Sequence, residues 1–235
     1  SSGLRPNIDS CILINRNGKV FHGGNINLYG TFSNLYIDFL STTTAANMIA
    51  FYQIARSRIT NCMIDMGVNS LVPIDTAGDC FFIGCYLIMT GAYDFTLASS
   101  TNAFFSASYF LVNQIFIQAN FEGCLFRSNG GTPATAFVQC NTALVRVVNC
   151  KFITNAAADP LLIVSGAQVQ IVGCYFTGGK SMLWSNSNFA SLLGAMFNSN
   201  VWDSGYTTAA MTITIGTGGK NFDNGNFIGN VAVFS

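Results

Sequence analysis

The sequence predicts an all-β fold wound as a single-stranded, right-handed parallel β-helix, a solenoid, and three observations carry that reading. The first is a pair of near-copies 24 residues apart, Val145-Arg146-Val147-Val148-Asn149-Cys150-Lys151-Phe152-Ile153 and Val169-Gln170-Ile171-Val172-Gly173-Cys174-Tyr175-Phe176-Thr177. In each, inward apolar residues alternate with outward ones, followed by Asn or Gly, Cys, any residue and a large apolar residue. Strict alternation marks a strand with two different faces, and its return at a period in the low twenties marks a solenoid. The second observation is the same grammar upstream, at Ile59-Thr60-Asn61-Cys62-Met63-Ile64, Phe82-Ile83-Gly84-Cys85-Tyr86-Leu87 and Phe121-Glu122-Gly123-Cys124-Leu125-Phe126. The third is the lack of any sustained helical periodicity. Coils this short leave no room for crossover helices, and parallel strands joined in this way wind right-handed almost always.

Taken in order, residues 1–23 form an opening segment or cap, with a hairpin-like turn signal at Asn15-Arg16-Asn17-Gly18. The β-helix is expected over 24–235, with a degenerate C-terminal end. Its first rung spans 26–38, where Ser33-Asn34-Leu35-Tyr36-Ile37 keeps the pattern without its cysteine. Rungs follow at Cys62, Cys85, Cys124, Cys150 and Cys174, then degenerate copies at Leu193-Gly194-Ala195-Met196-Phe197 and Gly225-Asn226-Phe227-Ile228. With the cysteine slot as the ruler, successive spacings are 27, 23, 39, 26, 24, 21 and 30 residues. The long gap holds either an additional coil through 104–112 or one excursion. The excursion is favoured, because 119–126 then inherits the register directly. The Asn or Gly before each Cys has a backbone reason: the chain must bend there, and these residues enter the left-handed region most cheaply. Four prolines in the whole chain agree with continuous pairing.

Half of the 235 residues are apolar and 9% are charged, at a mean hydropathy of +0.42. A membrane helix needs roughly 20 uninterrupted apolar residues; no such run exists, so no membrane insertion is expected. Ten basic residues against ten acidic ones argue against a nucleic-acid partner, which asks for a basic stripe. Ser1-Ser2-Gly3 carries neither an initiator Met nor a signal pattern, which points to a fragment of a longer protein. Stacked coils lie roughly 4.8 Å apart, whereas disulfide Cβ atoms need about 3.5–4.5 Å and a particular torsion. The slot cysteines are therefore expected to be free, buried and to act as small hydrophobes, which suits a reducing cytoplasm. With no CxxC pair and His22 as the only histidine, neither a zinc site nor a Ser-His-Asp arrangement is expected, and no cofactor or metal.

Placing Cys and the residue two after it inside predicts three outward files. One holds Thr60, Ile83, Glu122, Val148 and Val172; another Met63, Tyr86, Leu125, Lys151 and Tyr175; the third Asp65, Ile88, Arg127, Ile153 and Thr177. These are too apolar for a surface in water, and contiguous exposed apolar patches mark interfaces. Closed cyclic symmetry would let such flanks cover one another, so a parallel homotrimer is expected.

The Asn/Gly-Cys-x-apolar coils at 62, 85, 124, 150 and 174, the Phe- and Asn-rich low-charge composition and the apolar flank resemble the right-handed β-helix of bacteriophage tailspikes, within the wider pectate-lyase-like group. The resemblance covers roughly residues 24–230. It implies a trimeric virion tail protein, made in the bacterial host cytoplasm and joined to the rest of the tail, that binds a host surface polysaccharide and often cleaves it. The chain departs from the group in having one Glu and no cluster of Asp like the calcium sites of pectate lyases. The leading functional expectation is a receptor-binding module for a surface glycan. The alternatives are a polysaccharide depolymerase of the same fold, an endo-glycosidase or lyase, and a secreted bacterial β-helix adhesin.

Glycosidic hydrolysis needs two carboxyls, about 5–5.5 Å apart for retention and about 6.5–9.5 Å for inversion. The candidates are Asp94, Asp159 and Glu122. Asp94 and Asp159 each follow a slot cysteine by nine residues, on loops expected at one side of the helix and roughly 10 Å apart; turn capping is the competing role. Glu122 is expected near Arg146 and Arg58, where an ion pair competes. For glycan binding the candidates are Trp184, Trp202, Tyr93 and Tyr206, aromatic residues in loop-like stretches rich in Ser, Asn and Gly; loop packing or trimer contact is the competing reading.

Overall fold

The computed structural model describes residues 5–15, 19–22, 29–39, 49–67, 71–76, 79–88, 94–98, 103–112, 114–117, 119–128, 136–140, 144–153, 159–163, 168–177, 182–186, 192–193, 196–203, 211–215, 222–223 and 228–233. Among them there are strands and no helix, and every strand pairing is parallel. The first sheet stacks Asn7–Asp9, Thr31–Ser33, Ser57–Thr60, Cys80–Ile83, Ala103–Ser106, Ala119–Glu122, Leu144–Val148, Gln168–Val172 and Met196–Asn198. The second stacks Ile12–Asn15, Tyr36–Phe39, Met63–Asp65, Tyr86–Ile88, Tyr109–Val112, Leu125–Ser128, Lys151–Ile153, Tyr175–Thr177, Val201–Asp203 and Val231–Val233. The third stacks Lys19–His22, Ile49–Ile54, Leu71–Thr76, Asp94–Ala98, Gln114–Ile117, Ala136–Cys140, Asp159–Ile163, Met182–Asn186 and Met211–Ile215. A short fourth pairing joins Leu192–Leu193 to Phe222–Asp223. The chain is a parallel β-solenoid in which each coil contributes in turn to the first, second and third sheets.

The first and second sheets meet at a tight corner of two residues per coil, a bend residue and then the slot. All five expected bends enter the left-handed region: Asn61 (φ 53°), Gly84 (63°), Gly123 (64°), Asn149 (53°) and Gly173 (65°). Ser10, Asn34, Ala107, Ser199 and Gly229 do the same, with φ from 47° to 65°, so the column has ten members. Side chains at the bend point outward and stack. The Asn61 amide lies so close over Gly84 that a Cβ added there would meet its Oδ1 at 2.8 Å.

Ala107 and Ser108 settle the long gap. Ala103–Ser106 and Tyr109–Val112 pair on both sides with their neighbours in the first two sheets, so a full additional coil lies there and not an excursion. Alanine at the bend and serine in the slot disguised it, and only 16 residues separate Ser108 from Cys124. The C-terminal corners also differ from expectation. They fall at Ser199-Asn200 and Gly229-Asn230, with Asn in the slot, rather than within 193–197 and 225–228. At the other end, Asn7–Asp9, Ile12–Asn15 and Lys19–His22 already pair in parallel with the coil that follows. Regular stacking thus begins inside the segment expected to be a cap, and the hairpin-like signal leads from the second sheet to the third instead of into an antiparallel partner.

Seven cysteines among the described residues are free, and all of them except Cys11 are buried. Their slot is more than a hydrophobic hole. At four levels the slot N–H donates to the next slot's side chain: Cys85 to Ser108 Oγ (3.1 Å), Cys124 to Cys150 Sγ (3.4 Å), Cys174 to Asn200 Oδ1 (2.9 Å) and Asn200 to Asn230 Oδ1 (3.1 Å). Thiol, hydroxyl and amide share the one property needed, a small group with an acceptor, which explains why Cys, Ser and Asn interchange here. Asn200→Leu would leave the Cys174 N–H buried without an acceptor, an expected loss of about 1–3 kcal/mol. Cys150→Ser, which keeps an acceptor in place, is expected to cost less; urea midpoints measure both.

The interior is filled by files of large side chains at matched register. Phe110, Phe126, Phe152, Phe176 and Trp202 stack nearly parallel from coil to coil, with centroid separations of 4.7, 4.8, 4.8 and 5.3 Å. Phe82, Phe105 and Phe121 form a second stack from the first sheet at 4.5 and 5.4 Å. A parallel in-register ladder repeats each position at one strand spacing, so identical aromatics are forced into offset stacking contact.

Candidate functional site

The solenoid has two unlike sides. On the corner side, the connection between sheets is two small residues per coil, and the three expected outward files are all present in register. Thr60, Ile83, Glu122, Val148 and Val172 align, with Ser106 inserted by the additional coil. Met63, Tyr86, Leu125, Lys151 and Tyr175 align with Tyr109 inserted. Asp65, Ile88, Arg127, Ile153 and Thr177 align with Leu111 inserted. Phe81 (49% exposed) and Tyr86 (53%) stand out on either side of one corner, each beside a second ring, Phe104 and Tyr109, at 6.1 and 5.8 Å. Ile12 and Ile14 are more open still, at 72% and 61%.

Glu122 belongs to this side. It forms an ion pair with Arg146 at 3.0 Å, whose guanidinium also lies 6.0 Å from the Phe104 ring. Sequence reasoning missed Asp38 and Asp65, which face one another in register on adjacent strands, a step of about 4.8 Å. Asp65 accepts from the Gly67 N–H at 2.9 Å and Asp38 from the Tyr36 hydroxyl at 3.4 Å. Farther along, the Tyr175 hydroxyl donates to Asp203. That bond raises the Tyr175 pKa above the ordinary tyrosine value, and Lys151 Nζ sits 5.1 Å over the same ring.

At the first corner Asp9 accepts from Ser33 Oγ (2.6 Å), Asn34 Nδ2 (2.8 Å) and Ser10 Oγ (3.1 Å). These bonds, Ser33's first, hold its pKa below the usual carboxylate value. A depressed folded-state value stabilises above the unfolded pKa and is lost as pH falls through the folded one. The first coil is therefore expected to loosen in acid, and Ser33→Ala is expected to move the Asp9 titration, followed by NMR, back toward its ordinary position.

The opposite side carries the connections to and from the third sheet, most of them longer than the corner, although 55–56 matches it and single residues, 113 and 118, join the strands of the additional coil. Four of the sequence candidates lie on this sheet or next to it. Asp94 and Asp159 are the first residues of third-sheet strands, not loop residues. Three strand steps separate them, about 14 Å at ordinary spacing, because the additional coil lies between; that exceeds both glycosidase separations. Trp184 lies within Met182–Asn186, in register with Ile163 and Ile213, so it too is on a strand. Tyr93, immediately before Asp94, lies outside the described residues, as does Tyr206. Trp202 is corrected outright. It is 3% exposed and caps the interior aromatic stack. Its place two residues after a slot is the same as that of Phe152 and Phe176, a signal hidden by Asn200 standing where a cysteine was sought.

Among the described residues the buried thiols offer nucleophilic chemistry little; the hydrogen bond with Cys85 lowers the Cys62 pKa, but that thiol is fully buried. Burial pushes the Cys80 thiol up to about 11. Cys85 and Cys124 are held higher still by hydrogen bonds within the thiol column, so they remain protonated and unreactive. Among the described residues no three His, Cys, Asp or Glu side chains converge to hold a metal ion, and no helix is long and apolar enough to cross a membrane. No family model, no curated protein and no solved structure matches the chain.

Proposed function

We propose that this chain is a receptor-binding module of the bacteriophage tailspike type, a homotrimer in a virion tail that recognises a polysaccharide on the host cell surface. The observation that carries the reading is the division of the solenoid into two sides. One side has a corner of small residues flanked by apolar files, with Phe81 and Tyr86 half exposed; this is the form of a surface made to be covered. The other bears most of the longer connections, where binding residues concentrate on a rigid scaffold, and it carries Asp94 and Asp159, with Tyr93 next to Asp94 in the sequence. Free buried thiols suit folding in the bacterial cytoplasm before assembly. Tyr93 and Tyr206 are the residues proposed to meet the glycan, since an aromatic ring supplies apolar area with a polar edge. Trp184 is not among them, because its register file runs back through Ile163, Cys140 and Leu97 to the fully buried Ile74 and Phe51.

The test is incubation with purified host capsule or lipopolysaccharide, reading retention of the protein and release of oligosaccharides separately. Retention without release supports the module. Release of oligosaccharides shifts the reading to a depolymerase, with Asp94, Asp159 and Glu122 each replaced by the amide to find its carboxylates. Neither retention nor release across a panel of surface glycans overturns both. Tyr206→Ala is expected to weaken retention roughly tenfold, about 1.4 kcal/mol, without lowering the melting temperature by more than a few degrees.

A further inference from the structure

Resting on the trimer reading, we infer how the copies meet: the first sheet of one packs on the second sheet of the next, with solenoid axes parallel and the small-residue corners at the shared axis. The two sheets match over four consecutive levels, the third to the sixth coil. In the third coil Arg58 and Asp65 lie at equal distance from the corner, three residues before Asn61 and three after Cys62. Both face outward, and they do not pair within the chain, where the one ion pair among the described residues is Arg146–Glu122. One coil on, the equivalent positions are Phe81 and Ile88; on the next, Phe104 and Leu111. In the sixth coil they are Asn120 and Arg127, an amide side chain and an exposed guanidinium. Opposite charge meets opposite charge, apolar meets apolar, and polar meets polar.

A parallel arrangement brings equal levels together, so each pair meets across the seam, and every copy presents both halves of it. Such a head-to-tail interface closes into a ring. Corners of Gly, Asn, Ala and Ser let the copies approach, and charge complementarity fixes which levels align. The competing arrangement is the second sheet packed antiparallel on itself. That too sets Asp65 against Arg127, but it leaves Arg58, Phe81 and Phe104 uncovered.

Charge reversal separates the two, with native mass spectrometry at low micromolar protein reading the oligomer and circular dichroism confirming the fold. Arg58→Glu and Asp65→Arg are each expected to weaken assembly at least tenfold, and the double variant, which restores an opposite pair at every seam, is expected to reassemble. If Arg58→Glu leaves assembly unchanged while Asp65→Arg breaks it, the second sheet meets itself and the inferred seam is wrong. If neither variant nor the double changes a trimeric wild type, the seam lies elsewhere. A monomeric wild type fails at an earlier step and removes the trimer reading as well.

Discussion

Phe152→Ala is expected to lower stability by about 3–5 kcal/mol, the usual cost of emptying a buried phenylalanine site. Phe152 is fully buried and stacks on Phe126 below and Phe176 above at 4.8 Å each, with ring planes within 8° and 15°. The neighbouring coils are held at one strand spacing by their own ladders and cannot collapse into the space. Two ring contacts are lost in addition to the transfer term. Phe152→Leu, which keeps most of the volume, is expected to cost less than half as much. Urea midpoints at constant slope measure both. Equal losses for Ala and Leu would mean that the stack contributes through something other than filled volume.

Gly173→Ala is expected to lower stability by about 1–2 kcal/mol. Two effects combine. At φ 65° any Cβ costs roughly 1–2 kcal/mol in the left-handed region, and a Cβ there would land on Asn149 Oδ1, the end of an exposed side chain that must turn aside. Gly123→Ala is the internal control. Its backbone is the same, φ 64°, yet the nearest heavy atom to an added Cβ is 3.9 Å away, so only the backbone part applies. Ala107, at φ 47° in the same column, demonstrates that alanine is tolerated there. The difference between the two variants isolates the asparagine that lies over the glycine.

Much of this was legible in the residues, for a reason that also explains what was not. In a stacked coil each position repeats its environment, so a slot of fixed chemistry leaves a visible mark. Cys62, Cys85, Cys124, Cys150 and Cys174 gave the axis, and the bends before them gave the corner and the outward files. The slot, however, accepts Leu35 at one level, and at the later corners it takes a small group with an acceptor rather than a sulfur atom. Where Ser108, Asn200 and Asn230 fill it, a search keyed to cysteine loses the coil, and with Asn200 it loses the inward placement of Trp202. The distance between Asp94 and Asp159 was misjudged for the same reason, one coil too few. Asp38 and Asp65 went unremarked as a pair because register partners 27 residues apart cannot be recognised before the coils are counted. Glu122 was legible in both its possible roles, and the structure places it in the ion pair with Arg146.

The proposed division of the solenoid into a covered corner side and a glycan-facing side is tested most directly by hydroxyl-radical footprinting of the intact protein, alone and with host surface polysaccharide. The account predicts that Phe81 and Tyr86 are already shielded in the protein alone, more than their exposure in a single chain of 49% and 53% allows. It also predicts that added polysaccharide newly shields Tyr93 and Tyr206 while leaving the corner side unchanged. Shielding by polysaccharide at Phe81 and Tyr86, with Tyr93 and Tyr206 unaffected, would contradict it.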